Sequence, residues 1–110
     1  MKLPGADRAV VDLVKLRAYG LNPAHPRGRH KARVFAAALG FTAADAPRLR
    51  ELLLRAARAG EAVPAERDEY GARYVLDFPA AGRAGPAVIR SSWIVRRGED
   101  FPRLTTCFVL

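Results

Sequence analysis

Val88-Ile-Arg-Ser-Ser-Trp-Ile-Val95 has a two-residue rhythm: Ile89, Ser91, Trp93 and Val95 alternate with Val88, Arg90, Ser92 and Ile94. Successive side chains of a strand point to opposite faces, so this alternation predicts a strand with one side buried and one side wet. The rhythm recurs in Tyr74, Leu76 and Phe78 against Arg73, Val75 and Asp77. It recurs again in Leu104, Thr106, Phe108 and Leu110 against Thr105, Cys107 and Val109. A weaker strand is expected over 61–66.

Upstream of Gly60 the period changes to that of a helix. A short strand is expected at Ala9-Val-Val11, then Asp12 as N-cap of a short helix reaching about Tyr19. Two prolines and two glycines make Gly20–Gly28 a loop. A helix follows from about Arg29 to Leu39, with Val34, Phe35, Ala38 and Leu39 on its apolar face and Gly40 ending it. Asp45 is expected to cap a third helix that tolerates Pro47 in its first turn and buries Leu49, Leu52, Leu53 and Ala56. Helices first and strands after predict an α+β fold: N-terminal helices packed on one face of a roughly four-stranded antiparallel sheet. One domain is expected over 1–110, helical over about 7–60 and sheet over about 61–110, because 110 residues suffice for one core.

Strict alternation assigns the sheet faces. Tyr74, Leu76, Phe78, Ile89, Trp93, Phe108 and Leu110 are expected against the helices. Arg73, Asp77, Arg90, Ser92, Thr105 and Cys107 are expected on the other, polar face, to which three strands contribute.

Charge is distributed unevenly. The chain carries a formal net charge of +8 at pH 7. Residues 1–60 hold 12 basic and 4 acidic side chains, whereas 61–110 hold 7 of each. Between Asp12 and Asp45 there is no acid, yet Lys15, Arg17, Arg27, Arg29, Lys31, Arg33 and both histidines lie there. Such a one-sided field points to a polyanionic partner, with RNA as the first candidate. Arg27, Arg29 and Arg33, with Arg73 from the sheet, are candidate nucleic-acid contacts.

Other classes find no support in the residues. A single cysteine excludes an internal disulfide, and two scattered histidines with one cysteine match no zinc spacing, so neither metal nor other cofactor is expected. No nucleotide-binding glycine loop, nucleophile elbow or paired-carboxylate motif is present. The opening residues have no apolar signal region and no run reaches membrane-spanning length, so a cytoplasmic protein without a membrane role is expected.

The basic run Arg27-Gly-Arg-His-Lys-Ala-Arg33 falls where loop becomes helix. Cations at a helix start oppose the macrodipole, and a bound anion reverses the sign. Lys31 is read either as a surface lysine laying its stem along the apolar stripe or as a phosphate ligand. His30 is a candidate acid or base, while His25, between Ala24 and Pro26, reads as structural. Arg90 needs a carboxylate or a phosphate, and Asp77 on the neighbouring strand is the simple partner. Trp93 reads as core. Tyr19 and Tyr70, near loops, are weaker candidates for stacking on a base. Metal-free RNA cleavage needs a base, an acid and cations for the phosphorane charge. His30, Lys31 and Arg90, with hydroxyls from Ser92 and Thr105, make such a set if they share a cleft.

Leu21-Asn-Pro-Ala-His-Pro-Arg-Gly-Arg-His-Lys-Ala-Arg-Val-Phe35, Ala38-Leu-Gly-Phe-Thr42, Tyr74-Val-Leu-Asp-Phe78, Val88–Val95 and the ending Pro102-Arg-Leu-Thr-Thr-Cys-Phe-Val-Leu110 together resemble a small bacterial family catalogued as a domain of unknown function. Similar modules stand at the C-terminal end of polymorphic toxins and look like the barnase, EndoU, colicin and RelE-type ribonucleases. The resemblance implies N-terminal helices against a four-stranded antiparallel sheet. It marks His30, Lys31, Arg90, Ser92, Trp93, Thr105 and Thr106 as motif positions. Toxin-end versions tend to show Gly-Gly-Asn-Lys where this chain has Arg27-Gly-Arg-His-Lys31, which puts more weight on Lys31 and Arg90 than on His30. The expected function is a toxin-type, metal-independent ribonuclease cleaving through 2′-hydroxyl attack, restrained by an acidic antitoxin or immunity-like protein. The alternative is a non-catalytic nucleic-acid-binding or protein-interaction module using the same basic face.

Overall fold

A computed structural model describes residues 1–110. Helix α1 (Leu13–Lys15) runs into a π turn over Leu16–Gly20, and α2 (Arg29–Leu39) and α3 (Ala46–Ala59) complete the helical part. Strands β1 (Ala62–Asp68), β2 (Gly71–Gly82), β3 (Gly85–Arg96) and β4 (Pro102–Val109) follow in the order β1-β2-β3-β4, every pair antiparallel. The fold is α+β, with the helices on one face of an open four-stranded sheet.

Local chemistry accounts for most of the element ends. Asp12 Oδ1 accepts the amides of Val14 and Lys15, satisfying two donors that α1 would leave free. Gly40 closes α2 in the left-handed region at φ 72°, where a side chain would be strained. Asp45 does not cap α3 as expected. Its carboxylate turns back to accept the Thr42 amide at 2.8 Å and is gripped by Arg83. The reason is that Thr42, three residues earlier, begins a 3-10 turn over Ala43–Asp45 that leads straight into α3. The strand expected at Ala9-Val-Val11 is reduced to one parallel bridge between Val10 and Arg103.

The core lies between the two layers. Ala32, Phe35 and Leu39 from α2 and Leu49, Leu53, Ala56 and Ala57 from α3 meet Leu76, Phe78, Ile89 and Trp93 from the sheet. Phe35 and Trp93 are wholly inaccessible, so truncation of either to alanine is expected to cost about 3–5 kcal/mol. Trp93 brings a polar atom inside, and the fold satisfies it. Its Nε1–H donates to Ser91 Oγ at 2.9 Å, and Ser91 donates to the Leu76 carbonyl at 2.7 Å. Ser91 is thus the polar residue the core requires.

On β4 the strict alternation fails. Trp93 pairs with Leu104 but Ser92 pairs with Thr106, so Thr105 is the extra residue of a bulge, its hydroxyl donating to the Ser92 carbonyl. Side chains beyond the bulge therefore change faces. Cys107, expected on the polar face, is buried in the core. Thr106 and Phe108 instead take the register positions of Ser92 and Arg90 on the outer face, and Leu110 is exposed. The remaining assignments hold on β2 and β3: Leu76, Phe78, Ile89 and Trp93 face inward, Asp77, Arg90 and Ser92 outward.

Candidate nucleic-acid interface

Gly28 sets the geometry of the basic end. A side chain there would collide with the Tyr19 carbonyl, so only glycine lets the start of α2 come against the π turn. His25 braces the loop between them: its Nδ1 accepts the amides of Arg27 and Gly28, both at 3.1 Å, and its ring packs 4.5 Å from that of Tyr19. The structural reading of His25 therefore holds. α2 begins with no side-chain cap and no acid in its first turn, and the amides of His30 and Lys31 have no hydrogen-bond partner. That end of the helix is electropositive through its backbone as well as its side chains.

Between α1 with its π turn, the start of α2 and edge strand β4 lies a cleft of about 280 Å³. Lys15, Tyr19, Lys31, Thr105 and Thr106 line it, with Leu16, Gly20, Leu104 and Cys107 below and Asp12 at one side. Lys31 Nζ donates to Thr106 Oγ1 at 3.0 Å and sits 5.5 Å from the centre of the Phe108 ring. A neighbouring cleft of about 200 Å³ is lined by His30, Lys31, Val34, Phe108 and Val109. Lys31 belongs to both and separates them.

The sheet leads into this site along two cross-strand rows. Val75, Ser92 and Thr106 form one, Asp77, Arg90 and Phe108 the other, and Lys31 touches the last member of each. Ser92 and Arg90 are therefore one strand away from Lys31, but neither lines a cleft. Arg90 is held by a two-pronged contact with Asp77, Nε to Oδ1 at 2.9 Å and Nη2 to Oδ2 at 2.8 Å. Its guanidinium holds the Asp77 carboxyl below the usual carboxylate range. Arg73 is likewise tied, to Asp68 at 2.6 Å. His30 is exposed at the rim. Of the candidates, Lys31 and Thr105 share the larger cleft, and His30 joins Lys31 in the smaller one.

Ion pairs are unevenly placed along the chain. Arg8, Arg73, Arg83, Arg90 and Arg103 each meet a carboxylate. Lys15, Arg17, Arg27, Arg29, Lys31 and Arg33 meet none, and Arg17, Arg27, Arg29 and Arg33 are exposed. All six cations of the acid-free stretch are thus uncompensated, whereas the sheet half is mixed, with Arg73, Arg83, Arg90 and Arg103 paired and Arg67, Arg96 and Arg97 not.

Three polar lining residues are not site candidates from the sequence: Asp12, which reads only as an N-cap, Lys15 and Thr106. Lys15 lies four residues before Tyr19, a spacing that puts both on one face of a helical turn, and that was the available signal. Thr106 was assigned to the buried face by strict alternation, and the bulge moves it. No three His, Cys, Asp or Glu side chains gather as a metal-binding group. The donors that gather, the Lys15 and Lys31 ammonium groups and the Thr106 hydroxyl, suit an oxyanion, while the Asp12 carboxylate in the same cleft is engaged through Oδ1 in capping α1. Cys107, though beside the cleft, has its thiol pushed up to about 12 by burial, with nearby Lys31 offsetting this in part, and so is no nucleophile at neutral pH. No helix is long and apolar enough to cross a membrane.

Among curated proteins and solved structures, none matches the chain. A family model does, across residues 2–110, and the chain belongs to that family, described as a domain of unknown function (DUF6883).

Proposed function

We propose that the basic end of this domain binds RNA and that the Lys31 cleft seats a phosphodiester for cleavage by the neighbouring 2′-hydroxyl, a toxin-type ribonuclease. The observation that carries the reading is the meeting of Lys31 with Lys15, Thr105 and Thr106 in one cleft, on a stretch of chain whose six cations form no ion pair. Two lysines and the Thr106 hydroxyl offer donors to the non-bridging oxygens of a phosphate, whose charge grows as the phosphorane forms, and Thr105 adds its hydroxyl if it leaves the Ser92 carbonyl. In the reaction the 2′-oxygen bonds to phosphorus and the bond from phosphorus to the 5′-oxygen breaks, leaving a 2′,3′-cyclic phosphate and a 5′-hydroxyl. One proton leaves the 2′-hydroxyl and one reaches the 5′-oxygen. His30 at the rim handles one of these and solvent the other, while Lys31 holds the phosphorane charge. Arg90 joins that role only by leaving Asp77, with Ser92 and Thr105 positioning the phosphate. An acidic antitoxin or immunity-like protein would inhibit by covering the same cations.

A second reading is a binding module without chemistry. The Arg90–Asp77 pair and the separation of His30 from Thr105 favour it, because three of the proposed catalytic groups, His30, Arg90 and Ser92, lie outside the cleft that holds Lys31 and Thr105. Incubation of the purified protein with a single-stranded RNA, read by gel and by end-group analysis, decides between them. The ribonuclease reading expects cyclic-phosphate ends, with His30→Ala lowering the rate by about 10²–10⁴-fold. RNA that is bound but stays intact establishes the binding module. RNA neither bound nor cut overturns both.

A further inference from the structure

The larger cleft is built for more than a phosphate. Its lining is largely apolar, with Leu16 and Leu104 beside Lys15, Lys31 and the Asp12 carboxylate that caps α1. Tyr19 also lines it, its ring packed against that of His25 at a tilt of 58°. A phosphate alone gains nothing from apolar and aromatic lining. A nucleobase gains from both, since its flat face stacks on tyrosine and its sugar-phosphate then lies beside Lys15, Lys31 and Thr106.

We propose that this cleft is a nucleobase subsite: one unstacked base of a single-stranded RNA packs on Tyr19 with its phosphate on Lys31. The proposal rests on the phosphate reading of the same site and adds the substrate class. Drug-sized ligands occupy pockets of about 300–1,000 Å³. A cleft of about 280 Å³ therefore admits one base with its sugar rather than a dinucleotide. A duplex keeps its bases paired and stacked and has no base to offer, so it is bound through surface cations alone.

The test changes the ligand before the protein. Binding by the intact chain is compared, at one salt concentration, for a uridine hexamer, an abasic hexamer with the same phosphates, and an RNA duplex. The hexamer is expected to bind about 5- to 100-fold more tightly than its abasic counterpart, the range that stacking of one base gives. Tyr19→Leu, which keeps bulk beside His25 and Gly28, is expected to remove that difference, and Tyr19→Phe to preserve it. Equal binding of all three ligands, with Lys31→Ala still weakening each, overturns the nucleobase subsite and leaves the phosphate site standing. No binding to any of them overturns both.

Discussion

Lys31 on the first turn of α2 hydrogen-bonds Thr106 on the edge strand, 75 residues away in sequence, at 3.0 Å. This contact joins the basic helix start to the polar rows of the sheet. The ammonium also lies over the Phe108 ring, 5.5 Å from its centre, and keeps donors free for a ligand.

Lys31→Met keeps most of the stem and removes the charge. Folding stability should change by less than about 1 kcal/mol, since a single hydrogen bond at a part-exposed site contributes about that much net. The slope of log K against log salt for single-stranded RNA should flatten by about 0.7, the release of one counterion. Thr106→Val should leave that slope unchanged while weakening binding. A Lys31→Met slope equal to that of the unaltered chain would show that Lys31 touches no phosphate.

Arg90 and Asp77 offer a separate reading of the sheet face. Both are substantially exposed, so the pair contributes about 0–1 kcal/mol to stability and can open at little cost. If Arg90 takes part in RNA binding, Asp77→Asn should tighten binding by releasing it, and Arg90→Ala should weaken it. Titrations of the two variants that both match the unaltered chain would confine Arg90 to its cross-strand pair.

Cys107 should be silent in the folded state. With its thiol pushed up to about 12, almost no thiolate exists at pH 8, and burial denies access to reagent. An aromatic disulfide reagent should label the cysteine only once guanidinium has unfolded the chain. Rapid stoichiometric labelling of the native protein would contradict the inward orientation that the bulge gives this side chain.

Acid stability should depend on Asp45. Hydrogen bonds from Arg83, and then from the Thr42 amide, lower its carboxyl from 3.8 to about 2. Between about pH 4 and pH 2 the unfolded chain therefore binds a proton that the native chain refuses, so this contribution, present above pH 4, is lost as the pH falls through that window. Asp45→Asn should lower the melting temperature at pH 6 and shrink the difference from the unaltered chain as the pH approaches 2. A constant difference across the window would show that the Arg83 contact contributes nothing through charge.

The helices and the set of strands were legible because their signals are local. Asp12, Gly40 and the spacing of Phe35 and Leu39 act within a turn or two of chain. The halves of the site were legible separately, as an acid-free basic stretch and as polar positions on strands. Their junction was not. It depends on how closely α2 approaches the π turn, which the missing side chain of Gly28 decides, and on which β4 residues face Lys31. The second depends on pairing across strands, and Thr105-Thr106 has no local mark of a bulge.

That bulge gives the sharpest test of the register. Deleting Thr105 leaves Leu104 opposite Trp93 and Thr106 opposite Ser92 with no extra residue between, so the ladder becomes regular and Cys107 still points inward. The shortened chain should fold cooperatively, with Cys107 protected and Thr106 still within reach of Lys31. Under strict alternation, with Thr106 and Phe108 inward, the same deletion would reverse every later side chain and drive Phe108 out of the core. Thermal unfolding by circular dichroism, together with cysteine labelling of the deletion variant, separates the two. A cooperative transition with a silent thiol supports the bulged register, and loss of folding or an exposed thiol refutes it.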